Sequence, residues 1–241
     1  MQRAGGIDLG AYARAFGLYA RNPWLLVAPL IAGLAGALLM MVSQPSPGAL
    51  GGLAAGLSGL FVQLLDAFGL AVSLIIADSA WRRGRAPFGE AWDEARRKAG
   101  DIFMAAIGYT FVVYVAGLAG SFVGNFGALA LTAVAAYFFI YTIPAAAIGG
   151  IPGGAALQAS IERVQRSYAN TLVLGIVFVA FTALFPVIWE YAAFGLATLS
   201  DAFASNAVVQ IVGAAIKAVG IGYLALVMSK AYNDASYGRR Y

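Results

Sequence analysis

The sequence predicts an all-α protein: a polytopic membrane bundle of six transmembrane helices with both termini in the cytoplasm. Three observations predict it. The 241-residue chain is 61% hydrophobic and 11% charged, with a mean hydropathy of +0.81, whereas a soluble domain carries about 25% charged residues. Six apolar runs, at 24–42, 54–77, 102–122, 127–148, 171–194 and 206–229, each approach the ~20 residues that cross a bilayer core as helix. Fourteen of the fifteen Lys and Arg residues occupy alternate gaps between those runs, and only Lys217 lies inside one.

That alternation sets the orientation. Arg3, Arg14 and Arg21 precede the first run, and the gap after it has no charge. The next gap holds Arg82, Arg83, Arg85, Arg96, Arg97 and Lys98, and the one after it again has none. Arg163 and Arg166 precede the fifth run, Asp201 alone precedes the sixth, and Lys230, Arg239 and Arg240 follow it. Under the positive-inside rule this places both termini and the basic loops in the cytoplasm. The 60-residue stretch Ile102–Ile161 holds no charge. It is too long for one span, and the turn-like Gly124-Asn125-Phe126-Gly127 divides it into two.

Each pair of spans follows a segment of helical periodicity. In the first segment Leu9, Tyr12, Phe16 and Tyr19 share a face away from Arg14 and Arg21. Asn22 is placed to cap the span that follows, with Pro23 in its first turn, where a missing N–H costs nothing. In the second, Pro87 opens a helix with Phe88, Trp92 and Ala95 on one stripe against Glu90, Asp93, Glu94, Arg97 and Lys98, and Asp101 can cap the third span. In the third, Leu157, Ile161, Val164 and Tyr168 run along one face, with Asn170 where the chain reaches the membrane.

Gly10 and Gly89 precede Asn22 and Asp101 by the same twelve residues, and Gly154 precedes Asn170 by about one turn more. The chain therefore reads as a single integral membrane domain, 1–241, of three repeats at 7–77, 87–148 and 154–229. Each repeat is an amphipathic helix, a span, an outer turn and a second span. The amphipathic helices are expected in the inner headgroup layer or packed beneath the bundle. Gly48, Gly52 and Gly56, and likewise Gly120 and Gly124, are spaced for close helix approach near the outer face. Pro144 and Pro186 are expected to kink the fourth and fifth spans. Tyr137, Phe138, Phe139 and Tyr141 cover more than one helix face and are expected to meet lipid.

Asn22-Pro23-Trp24, the basic Phe88-Gly89-Glu90-Ala91-Trp92 helix and the Ala156-Leu157-Gln158-Ala159-Ser160-Ile161-Glu162-Arg163 helix resemble bacterial six-helix membrane families. One is the membrane domain found beside some glycerophosphodiester phosphodiesterases. The resemblance covers most of the chain and implies architecture alone. The phosphodiesterase of that family is a separate soluble barrel, so the likeness assigns no catalytic residue.

The chain has no Cys and no His. Thiol nucleophiles, disulfides, zinc–thiolate and iron–sulfur sites, imidazole bases and the usual haem ligands are thereby excluded. No phosphate loop of the GxxxxGK[ST] type occurs. The segment before the first run also lacks a compact secretory cleavage pattern. A net charge of +4 fits loops facing anionic lipid rather than a nucleic-acid surface. The expectation is a multi-pass protein of a cytoplasmic (inner) membrane, not an enzyme, with no metal and no cofactor.

Three charges fall inside apolar runs: Asp66, Glu190 and Lys217. A lone charge at a span's centre costs ~2.5–3.5 kcal/mol on insertion scales. Asp66 lies twelve residues before Asp78, and Lys217 thirteen before Lys230, so at 1.5 Å per residue the two sit at matching depths of roughly 18–20 Å. A buried Asp66–Lys217 pair follows. Gly59, Gln63 and Ser73 recur on the Asp66 stripe, and Gln210, Gly213 and Gly220 on that of Lys217, a pattern of helix contact or of a wet cavity. Glu190, between Trp189 and Tyr191, fits an aromatic belt at the outer interface.

The pair admits three roles: a structural tie, a polar site for a translocated ion or small molecule formed with Gln63 and Gln210, or a Schiff-base lysine with its counter-ion. Against the last, the position one turn before the lysine is Gly213. The function expected is a non-catalytic scaffold or accessory subunit, partnered by lipid and by other membrane subunits or further copies. A small-molecule or ion transporter is the alternative. Because the chain has no cysteine, single cysteines report topology cleanly. A cysteine at Ser46 is expected to react with an impermeant reagent in intact cells and one at Gly84 to stay unlabelled, and the reverse pattern would overturn the orientation.

Overall fold

The computed structural model describes residues 9–42, 49–181, 185–199 and 206–237, and among them every regular element is a helix. In chain order these are α1 (Leu9–Arg21), a 3₁₀ turn (Pro23–Leu26), α2 (Val27–Val42), α3 (Ala49–Arg83), α4 (Phe88–Arg97) and α5 (Ala99–Ser121). There follow α6 (Asn125–Phe138), α7 (Thr142–Ala147), α8 (Gly153–Arg166), α9 (Tyr168–Val179), α10 (Phe185–Leu199) and α11 (Asn206–Tyr237). Four stretches among the described residues are long and apolar enough to cross a membrane: Gly56–Arg83, Ala99–Ser121, Asn125–Ala147 and Val208–Ser236. A fifth is formed if Leu9–Arg21 and Pro23–Leu39, which meet at 95°, count together. The fifth apolar run is shared between α9 and α10, with residues 182–184 outside the described residues.

Packing is concentrated at the end that carries the basic loops. Ala71–Ala77 of α3 are buried without a break, as are Leu224–Ser229 of α11 and Thr142–Ala147 of α7. At the opposite end the α5–α6 hairpin leaves Phe111, Tyr114, Leu118 and Leu129 exposed. α2 lies against both long helices through small residues. A Cβ on Gly69 would come within 3.1 Å of Ala32 Cβ, and one on Gly33 within 3.2 Å of Ala214 Cβ. Gly120 meets the Gly127 backbone across the outer turn, and Gly124, at φ +99°, supplies the left-handed residue of that turn. Nothing approaches Gly56, and the surroundings of Gly48, Gly52 and Pro186 lie outside the described residues.

Several local expectations are corrected. Asn22 does not cap the first span: 1% exposed, it donates from Nδ2 to Leu18 O (2.9 Å) and Gly84 O (3.1 Å) and accepts the Ala86 N–H at Oδ1 (3.2 Å). Asp101 lies in the first turn of α5, where it accepts the N–H of Gly153, the first residue of α8, at 3.3 Å. α9 starts before Asn170, because Ser167 O already accepts both the N–H (2.9 Å) and the hydroxyl (2.8 Å) of Thr171. Thus the two residues read as caps, Asn22 and Asp101, instead tie their helix to the start of the next amphipathic helix.

The buried stripe of α8 is Gly153, Ala156, Ser160 and Val164; of the expected face only Val164 is fully buried, while Leu157 and Ile161 are half-buried. Small side chains win that face because α8 lies close on α5, where a Cβ on Gly153 would stand 2.5 Å from Met104 Cβ. Tyr168 is exposed and belongs to α9. α1 divides its apolar face: the Tyr223 hydroxyl donates to Tyr12 O (3.1 Å) and the Tyr19 hydroxyl to Val219 O (3.0 Å), while Leu9 and Phe16 stay exposed.

The fourth span breaks at Phe139–Tyr141. Pro144 lacks the N–H that would bond Ile140 O, and its ring crowds that carbonyl. Ser160 repairs the break, donating to Phe138 O (2.9 Å) and accepting the Tyr141 N–H (3.0 Å). Tyr141 is consequently not a lipid contact: it is fully buried, its hydroxyl 3.1 Å from Thr171 Oγ1.

Asn22→Ala would leave the Gly84 carbonyl and the Ala86 N–H unpaired beside a buried void. Each unsatisfied buried group costs about 1–3 kcal/mol. Thermal unfolding in detergent is therefore expected to shift clearly downward for Asn22→Ala, and no change would show the clasp to be dispensable.

Candidate functional site

α3, which carries Asp66, and α11, which carries Lys217, lie side by side. Trp81 Nε1 donates to Leu226 O (2.9 Å) and Asn233 Nδ2 to Asp78 Oδ1 (2.7 Å) near the basic end. Further along the same pair, Lys217 Nζ stands 2.6 Å from Asp66 Oδ2. The two residues are 151 positions apart in the chain. The structure brings together the two charges that the sequence sets at equal depth.

The pair is not sealed. The side chains of Lys217 and Asp66 keep 39% and 27% of their surface. Gln63 and Gln210 are exposed on the same two helices, outward of the pair, and neither bonds to it. Toward the basic end both helices become continuously buried; away from it Leu57, Leu60, Phe61 and Ile211 are exposed. The ion pair thus sits at the boundary between the packed and the open half.

The stripe glycines on α11 are seats for rings. A Cβ on Gly213 would lie 2.6 Å from Trp189 Nε1, and Gly220 lies under Phe181. Lys217 lies between these two seats, about one turn from each. Ser73 does not join the site; buried, it donates to Leu25 O at 2.9 Å and anchors the 3₁₀ turn. Nothing approaches Gly59. Glu190 is exposed on α10 beside an exposed Tyr191.

Two apolar hollows flank the bundle. One, of about 400 Å³, lies between α2 and α3 and is lined by Leu39, Leu57, Ser58, Leu60, Phe61 and Leu64. The other, of about 610 Å³, lies between α6 and α9, with Val134, Tyr137, Phe138, Leu172, Ile176 and Val179 in its walls. Neither brings a charged side chain inward. Among the described residues no group of three or more acidic side chains could hold a metal ion.

Other polar ties escaped the sequence reading. Lys98 Nζ bonds Glu94 Oε1 (2.6 Å) and the Ala147 carbonyl (2.8 Å) at the end of α7. The Arg163 guanidinium lies 4.2 Å from the centre of the Tyr232 ring. The buried hydroxyls of Thr142 and Ser229 have no hydrogen-bond partner among the described residues. Lys98 and Arg163 lie in charged amphipathic segments, and such a sequence does not say which backbone group or ring each side chain will meet.

The arrangement offers charge, amide dipoles and apolar surface. No protein-family model matches the chain, and no curated protein or solved structure matches it either.

Proposed function

We propose that this chain is a non-catalytic integral membrane subunit, a scaffold whose open half is completed by further membrane helices. One observation carries the reading. An ion pair and two glutamines reach the surface at a level where their neighbours are Leu57, Leu60, Phe61 and Ile211. Acyl chains offer such groups no hydrogen bonds, whereas polar side chains of a neighbouring helix do. Helix pairing through small residues, already used by α2 at Gly33 and Gly69, is the usual mode of association in lipid. The partner is another membrane protein or a second copy of this chain.

The finer architecture belongs to the same proposal: six spans, both termini in the cytoplasm, three helix-plus-hairpin repeats, in an inner membrane. The bend of 95° ahead of the first span and the parallel ties of Asn22 and Asp101 to the next amphipathic helix support the repeat. Transport is the second reading. It is favoured by the position of Asp66 and Lys217 at the floor of the open half, where a polar solute arriving from that side would meet them.

Extraction in a mild detergent separates the readings. The scaffold predicts migration as part of a complex well above the mass of one chain in its micelle, and migration as a single chain would overturn it. Asp66→Asn or Lys217→Met alone leaves one charge unpaired, at ~2.5–3.5 kcal/mol, so folded yield is expected to fall and the double change to restore much of it. A folded double variant that loses its complex supports the scaffold. One that keeps its complex but no longer moves solute into liposomes supports transport.

A further inference from the structure

We propose that the basic end of the bundle holds a binding site for the phosphate of an anionic phospholipid, built where Asn22 clasps α1 to the loop before α4. The inference rests on membrane embedding alone and not on the scaffold reading.

The clasp creates the site. The Asn22 side chain bonds Gly84 O and the Ala86 N–H, so Arg21 and Arg85 each stand next in sequence to a residue of the clasp. Asn22 is almost wholly buried, and Gly84 holds its turn at φ +78°, so both arginines rise from a fixed base. Both side chains are exposed, and neither has an acidic partner among the described residues. Nearby arginines are already engaged: Arg82 with Asp78 (3.0 Å), Arg83 with Glu90 (3.8 Å) and Arg96 with Asp93 (4.0 Å).

An aromatic row begins three residues beyond each of them in the chain. Trp24, 51% exposed, lies 6.3 Å from Phe88, which stacks on Trp92 at 5.8 Å. Trp92 in turn meets Phe68 of α3 edge-on at 5.4 Å. An indole at a membrane interface presents an apolar body to the chains and a polar edge to the headgroups. Arg21, three residues before Trp24, and Arg85, three before Phe88, bring two guanidiniums to that end of the row, and such groups bind a phosphodiester by paired hydrogen bonds. The start of an acyl chain would then lie on Trp24 and Phe88.

A zwitterionic headgroup carries the same phosphate with an ammonium that the arginines repel, so the site favours a net-negative lipid. Free inorganic phosphate shares the charge chemistry but gains nothing from the aromatic row.

The test measures thermal stabilisation of the full chain in a neutral detergent on titration with phosphatidylglycerol, phosphatidylcholine or inorganic phosphate. Wild type is expected to be stabilised by phosphatidylglycerol well below the concentrations at which the other two act. In Arg21→Gln/Arg85→Gln the half-effective concentration of phosphatidylglycerol is expected to rise on the order of tenfold or more. Arg83→Gln/Arg96→Gln, with the same loss of charge, is expected to leave it unchanged. Trp24→Ala, with both arginines kept, is expected to weaken the lipid response and leave that to phosphate unaltered. Equal weakening in the two double variants would reduce the effect to diffuse charge and overturn the site. So would an unchanged response in Arg21→Gln/Arg85→Gln, or phosphate acting as strongly as the lipid. Should that variant fold poorly, Arg85→Lys tests the same point: it keeps the charge and removes the fork, and an unaltered response would again overturn the proposal.

Discussion

The side-by-side contact of α3 and α11 is what the rest of the structure depends on. It joins segments separated by most of the chain, and three polar ties mark its length: Trp81 to Leu226, Asn233 to Asp78, and Lys217 to Asp66. α2 packs against both members through glycine and alanine, and Ser73 of α3 anchors the 3₁₀ turn that leads into α2. α1 then lies on α11 through Tyr12, Phe16 and Tyr19. The rings of Phe181, just after α9, and Trp189 of α10 use the glycines of α11 as seats.

This reliance on close backbones and polar ties follows from the solvent. Between apolar helices in lipid there is little hydrophobic gain on association, so van der Waals contact and hydrogen bonds between helices decide which surfaces meet. Large side chains accordingly face outward on the α5–α6 hairpin, while alanine, glycine and serine line the contacts of α2, α5 and α8. The same logic explains Ser160. A proline break frees backbone groups that lipid cannot satisfy, and a neighbouring hydroxyl satisfies them.

The two ends of the bundle differ in kind. At the basic end, side chains bind backbone across loops: Asn22 to Gly84 and Ala86, Asp101 to Gly153, Lys98 to Ala147. These ties join α1 to the loop before α4, α5 to the start of α8, and Lys98 to the end of α7. The opposite end lacks this bracing in its α5–α6 hairpin, whose members meet closely at Gly120 and Gly127. The Asp66–Lys217 pair lies at the boundary, with packed core on one side and exposed leucine and phenylalanine on the other.

Helix content, membrane embedding and the joint depth of Asp66 and Lys217 were legible in the sequence by itself. Each depends only on apolar run length and on the cost of charge in lipid, which act along one helix at a time. The bend at Asn22-Pro23 and the break ahead of Pro144 were legible as positions, because proline constrains its own turn. The tertiary structure alone decided which groups those positions would bind. Asn22 looked like a cap and became a clasp, since its partners Gly84 and Ala86 lie more than sixty residues away. α8 turned its small residues inward because α5 stood close enough to favour them. The exposure of the ion pair was likewise invisible beforehand: depth is a property of one helix, but shielding is a property of its neighbours.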